Sequence, residues 1–187
     1  MRTDNDGTAT HAEPGHRSRF TVPGILLGLG LGGLIDGIVL HQMLQWHHMG
    51  TDYGQHATFP ETTVRSLEDN TLWDGMFHAA TWIFVTVGLF MLWRPAASRH
   101  RSSWRSLAGL LLTGWGIFNV VEGLVDHQIL GIHHVRDDLG GPVSWDVGFL
   151  AFGVAMVAAG WAMWRADQRN TAQGAEPSTS GASRSTV

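Results

Sequence analysis

The chain has 187 residues, a net charge of −4, no cysteine, and twelve basic residues that are all arginine. That length suits one domain, and the missing thiols exclude both a disulfide framework and a thiolate metal site. The mild acidity gives no case for nucleic acid as a partner.

Mean hydropathy is near zero, but it averages two polar ends with a very apolar middle. Residues 1–20 are rich in small polar and charged residues and read as a disordered tail. Four apolar stretches follow, roughly Thr21 to Leu44, Leu72 to Trp93, Ser106 to Leu130 and Ser144 to Trp164. Each is long enough as a helix to cross a hydrocarbon core of ~30 Å, which takes ~20 residues. None alternates with period two, so strands are a poor alternative. The first stretch lacks a small-residue cleavage site, and its sequence recurs inside the chain, so it is not read as a cleaved signal. Residues 166–187 return to the composition of a disordered tail. The expected fold class is therefore all-α: a polytopic membrane protein whose four-helix domain spans residues 21–165.

Arginine placement predicts the topology. Arg17 and Arg19 precede the first span, Arg94, Arg99, Arg101 and Arg105 lie between the second and third, and Arg165 and Arg169 follow the fourth. The 49–72 loop instead sets Arg65 against Asp52, Glu61, Glu68 and Asp69, and the 135–143 loop sets Arg136 against Asp137 and Asp138. The positive-inside rule then puts both termini in the cytoplasm and both acidic loops outside.

Two phrases carry the chemistry. Residues 35–48 read IDGIVLHQMLQWHH and residues 121–134 read VEGLVDHQILGIHH, with seven identities at an offset of 86. Asp36 becomes Glu122, while His41, His47 and His48 recur as His127, His133 and His134. The second and fourth spans also share an opening, since LWDGMFHAATWIF and VSWDVGFLAFGVA have Trp-Asp with Phe three residues after the acid. The unit is then a helical hairpin written twice, about 21–93 and 106–165, with the copies related by an axis along the membrane normal.

At 100° per residue, Asp36, His41, His47 and His48 fall with Gly33 and Gly37 in one sector of roughly 140°. Asn119, Glu122, Gly123, Asp126, His127, His133 and His134 repeat the pattern. Charged groups in a bilayer cost ~2.5–3.5 kcal/mol each on insertion scales, so this face should turn inward. There it meets Asp74, His78 and Thr81 of the second span, and Asp146, Gly153 and Gly160 of the fourth. Histidines and acids from all four helices are thus expected to gather in the outer half of the bundle. Trp46, Trp73, Trp93, Trp145 and Trp164 read as interfacial anchors. His11, His16, His56 and His100 read as solvated loop residues.

Imidazole suits Cu, Fe and Zn, and carboxylate joins it as ligand or as the partner that orients a ring. Asp36, His41, Glu122 and His127 are the leading metal candidates, followed by His47, His48, His133, His134, Asp74 and Asp146. His78 has Leu150 as its counterpart and is a weaker candidate. Met43, Met49 and Met76 are thioethers near the same end that would suit Cu(I) or simply pack. The Glu-x-x-His spacing of di-iron bundles is missing.

Three other readings stand beside the metal. His41 and His127 could face each other as the axial pair of a haem. Intramembrane acids and histidines also suit a proton or metal-ion transport component, for which four spans are few unless the chain forms a homo-oligomer or joins another membrane protein. The plain reading is a scaffold whose polar groups bond only to one another, with His47, His48, His133 and His134 in headgroup water. No nucleophile–base pair stands out, so an enzyme is not expected; any chemistry would be redox chemistry at the metal.

The motifs DG-x-x-x-HQ-x-L-x-x-HH and WD-x-x-F, with their second copies, resemble a bacterial family of four-span membrane proteins, domain of unknown function 2243. The resemblance covers about residues 20–165 and implies the bacterial inner membrane, with no established activity.

Overall fold

A computed structural model describes residues 20–50, 63–93 and 103–174, and these are helical, with no strand among them. Of the expected tails at 1–20 and 166–187, residues 1–19 and 175–187 lie outside the described residues, whereas 166–174 are helical rather than disordered. Arg17, Arg19, Asp52, Glu61, Arg94, Arg99 and Arg101 also lie outside the described residues, as do His11, His16, His56 and His100.

Four helices are long and apolar enough to cross a membrane: Thr21–Met43, Val64–Trp93, Trp104–Ile129 and Val143–Thr171. Their α-helical parts are α1 (Thr21–Ile35), α2 (Val64–Trp93), α3 (Trp104–Glu122) and α4 (Val143–Gly174). Helices α1 and α3 form the central pair, α2 packs on α1, and α4 packs on α3. The central pair is close because it is glycine-lined: a methyl on Gly28 would collide with the Leu111 carbonyl, and one on Gly114 with the Ile25 carbonyl. Small residues give the flanking contacts too, with Gly30 against Thr81 and Val85, and Gly116 against Gly153 and Val157. Without a hydrophobic drive between helices in lipid, such close backbone approach is what makes them adhere.

Two helices run further than hydropathy suggests. Helix α2 begins at Val64 rather than near Leu72, because Thr63 caps it by accepting from the Ser66 amide at 3.2 Å. Helix α4 continues to Gly174, past the expected boundary at residue 165, and Ser106 ties that extension to α3 by donating to Asp167 at 2.6 Å. Polar turns of this kind are invisible to a hydropathy window.

The central helices also change their winding. After Ile35 the chain forms a π-helix over Asp36–Met43, and after Glu122 another over Gly123–Ile129. Bonds from i to i+5 then set residues five apart over one another, so a wheel of 100° per residue no longer holds. Each π segment ends in a wide turn, with Leu44 N donating to Val39 O and Leu130 N to Val125 O, both at 2.8 Å. A left-handed residue follows each turn, Gln45 at φ 51° and Gly131 at φ 58°. The chain then folds back, carrying His47 and His133 into the bundle rather than onward along the helix axis.

A candidate metal centre

The Asp of each Trp-Asp pair anchors the phrase that faces it. Asp74, 1 % exposed, accepts from His41 Nδ1 at 2.9 Å, Gln42 Nε2 at 3.0 Å, His48 Nδ1 at 2.7 Å and the Met49 amide at 2.9 Å. Asp146, fully buried, accepts from His134 Nδ1 at 2.7 Å and the Val135 amide at 2.9 Å, with Gln128 Nε2 at 3.4 Å and His127 Nδ1 at 3.6 Å. A buried carboxylate with this many donors is compensated. The Phe three residues on packs its ring against the same histidine: Phe77 stacks on His41 at 5.4 Å, and Phe149 lies 5.5 Å from His127. The recurring His-Gln, His-His and Trp-Asp-x-x-Phe residues therefore form one interlocked set at each half.

Between these sets lie four imidazoles. His47 and His133 are stacked face to face, with centroids 4.7 Å apart and planes 7° from parallel. His41 meets His47 edge-on at 4.6 Å, and His127 meets His133 edge-on at 4.8 Å. All four rings are buried, as are Asp36 and Glu122. His47 Nδ1 donates to the Val135 carbonyl at 3.0 Å, and His41 Nδ1 to Asp74. The His47 ring thereby carries its proton on Nδ1 and presents Nε2 as a lone pair, while His41, with a carboxylate at each nitrogen, must give up its Nε2 proton to become a ligand.

Those inward atoms have no hydrogen-bond partner. His41 Nε2, His47 Nε2, His133 Nε2, both nitrogens of His127, both oxygens of Glu122 and Asp36 Oδ2 are buried and unpaired. His41 Nε2 and Asp36 Oδ2 are 3.1 Å apart, close enough for an ion pair but not aligned as a hydrogen bond. Leaving so many groups unmet costs roughly 1–3 kcal/mol apiece. His41, His47, Glu122 and His133 each offer one ligand atom, all within 4.8 Å of one another. Tetrahedral ligands on an ion with ~2.1 Å bonds lie ~3.4 Å apart, so the most separated atoms of the set must close by up to about 1.4 Å on binding.

Electrostatics agree at the two histidines beyond the spans. Burial, then the neighbouring imidazoles, push His47 and His133 well below the usual histidine range, so both are neutral at pH 7. Neutral imidazole is the form that binds metal.

The remaining candidates divide by position. His127 joins the ring set from Asp146, and Asp36 lies between His41 and His47, 4.0 Å from the Nε2 of the latter. His48 and His134 turn toward the rim, their side chains 15 % and 27 % exposed, and serve Asp74 and Asp146. His78 donates to its own helix at the Asp74 carbonyl, 2.7 Å away, and covers Gly37, outside the four-residue group. Met43 and Met76 are exposed on the helix surface, and Met49 contributes its amide.

Some contributions were not foreseen. Arg136 sits over Trp46 at 4.4 Å and Trp145 at 5.1 Å while pairing with Asp138, so these two indoles grip a cation besides facing an interface. Asp137 is fully buried and accepts from the His134 amide at 3.1 Å. The Val135 carbonyl that fixes His47 is backbone, which no side-chain motif reveals. The Asp-Asp pair two residues beyond the second His-His, after Val135 and Arg136, was the available signal for Asp137.

A family described as "Predicted membrane protein (DUF2243)" matches residues 23–167, and the chain belongs to it. No curated protein and no solved structure matches the chain.

Proposed function

We propose that the protein binds a transition-metal ion, Cu, Fe or Zn, between its helices, through His41, His47, His133 and Glu122 with Asp36 and His127 adjacent. The observation that carries this reading is the group of buried, unpartnered nitrogens and oxygens converging at one point. A scaffold held by polar contacts alone would pair those atoms with each other. When bound, the ion would supply a Lewis-acidic or redox-active centre; the chain supplies ring orientation through Asp74 and the Val135 carbonyl, and shields the site from water.

Two copies of one ancestral hairpin explain why the set is doubled, and contacts at matching positions support that history. We place the histidine end of the bundle at the external face of a bacterial cytoplasmic membrane, with both termini inside. The arginine distribution supports this orientation. Since the chain has no cysteine, Asp138→Cys gives a single exposed thiol for labelling from the outside; labelling only after permeabilisation would reverse the topology. The haem alternative is disfavoured because the stacked His47 and His133 fill the space between His41 and His127.

The test is elemental analysis of detergent-purified, full-length protein, followed by metal stripping and reloading. About one equivalent of Fe, Cu or Zn is expected, lost in His47→Ala and His133→Ala. A folded protein that carries no metal and takes up none of the three ions refutes the proposal.

A further inference from the structure

Beside the metal centre a cavity of about 360 Å³ lies between the first π-helix and α4, with α3 at its back. It opens on the side of the bundle, where Ile35, Trp145 and Phe152 are exposed on the helix surface. In a protein that spans a bilayer, that side faces hydrocarbon. The volume falls in the range of ~300–1,000 Å³ for small-molecule sites.

The walls specify the chemistry of an occupant. They are aromatic, with the indoles of Trp46, Trp115 and Trp145 and the ring of Phe149. Three polar residues interrupt them: Asp36 and Asn119, both buried, and Ser144, which is exposed. Asp36 is 5 % exposed, and its Oδ2 is the unpaired atom beside His41 and His47, so one carboxylate borders both cavity and metal centre. The Asn119 amide has the Met156 sulfur as its partner at 3.9 Å, a weak bond that a better acceptor would displace.

Three occupants compete for such a space. A lipid acyl chain would satisfy the aromatic walls and leave both buried polar groups unmet. A cation would suit Asp36 and the indoles, but Arg136 already covers Trp46 and Trp145 and would repel it. A neutral planar ring bearing hydroxyl groups satisfies everything: its faces stack on indole, its hydroxyl donates to Asp36 and accepts from Asn119, and it dissolves in the bilayer. We propose that this cavity binds a membrane-soluble phenol or hydroquinone and brings its hydroxyl to the edge of the metal centre.

Gly148 keeps the space open. A Cβ placed there meets nothing within 4 Å, so a larger side chain would fill the cavity without straining the helix. The position three residues after Trp in the first hairpin holds Met76 instead. One seam of the bundle is thus cleared where the aligned residue of the other is bulky.

The experiment titrates full-length protein, metal-stripped and metal-loaded, with 2-decylhydroquinone under anaerobic conditions and follows tryptophan fluorescence. Saturable quenching is expected in both forms, so failure here is separable from failure of metal binding. Gly148→Phe should raise the half-saturation point by about tenfold or more with an unchanged melting temperature. Phe152→Ala, a change to an exposed wall residue, should weaken binding in the same direction and serves if Gly148→Phe does not fold. Decylbenzene, which lacks the hydroxyls, should bind about tenfold more weakly. Quenching that never saturates, or that survives both variants, overturns the proposal. Equal binding of decylbenzene does so as well and makes the cavity a seat for lipid chains.

Discussion

Residues 36–50 and 122–136 follow the same course, a π-helix, a wide turn and a return into the bundle, yet they are held unequally. In the first, His41 is 2.9 Å from Asp74 and 3.1 Å from Asp36, so both ring nitrogens face carboxylates at close range. In the second, His127 stands 3.6 Å from Asp146, and neither of its nitrogens has a hydrogen bond. The acid differs by one methylene. Asp36 stays beside His41, whereas Glu122 is long enough to enter the group with His41, His47 and His133. Near-identical phrases thus contribute unequally: each gives two residues to the group, His41 and His47 from the first and Glu122 and His133 from the second, but only the second gives a carboxylate. Uniform repetition would have given two equal sites.

The largest expected effects test what the halves share. His47 and His133 are the stacked pair at the middle, so His47→Ala and His133→Ala should each weaken metal binding by more than about 100-fold. His48→Ala and His134→Ala, at the rim, should cost less than a tenth of that, because they act through Asp74 and Asp146. Competition with a chelator of known affinity measures all four. Equal losses at rim and middle would remove the distinction between ligand and support.

The next effect separates the halves. Asp74→Asn removes the charge that orients His41 and should lower metal affinity by about 10–100-fold. Asp146→Asn should lower it several-fold less, since His127 is held loosely. If Asp146→Asn proves the more damaging, the tight half is not the one that matters. A pH titration of the metal-stripped protein then asks whether the centre is as dry as it is drawn. Folded His47 and His133 resist protonation, whereas the unfolded chain takes up protons as pH falls through the ordinary histidine value of 6.5. Their contribution is complete above about pH 6.5 and declines as pH drops toward the lowered folded values. Melting temperature should therefore fall between about pH 7.5 and about pH 5.5, and His47→Gln should flatten that slope.

Much of this arrangement was legible from residue types. Apolar runs gave four spans, and the cost of polar groups in lipid turned Asp36, His41, Glu122 and His127 inward. The winding was not legible. The wheel set His41 140° from Asp36, but π geometry stacks residues five apart, and the two side chains lie 3.1 Å from each other. Hydrophobic pattern cannot distinguish π from α winding over two turns. For the same reason His47 and His133 ranked behind Asp36 and His127 by sequence, since their inward course depends on a left-handed turn. Only Gly131 hinted at that turn; Gln45 at the matching position concealed it.

That mismatch supplies the smallest and cleanest test. Both residues have positive φ, 51° at Gln45 and 58° at Gly131. A side chain in this conformation costs roughly 1–2 kcal/mol, which glycine escapes. Gln45 is exposed, so its side chain gives little packing in return. Gln45→Gly should then stabilise the protein, by less than the full strain because glycine also loosens the unfolded chain, for a net gain of about 0.5–1 kcal/mol. Gly131→Gln should destabilise by a similar net amount, about 0.5–1 kcal/mol, because losing glycine also stiffens the unfolded chain. Urea unfolding in detergent, with metal removed, reads both. Opposite signs of similar size mean that the two turns have one geometry and differ only in strain. If Gln45→Gly is neutral and Gly131→Gln is harmful, the first turn has relaxed out of the left-handed region, and the comparison between the halves must begin at the backbone rather than at Asp36 and Glu122.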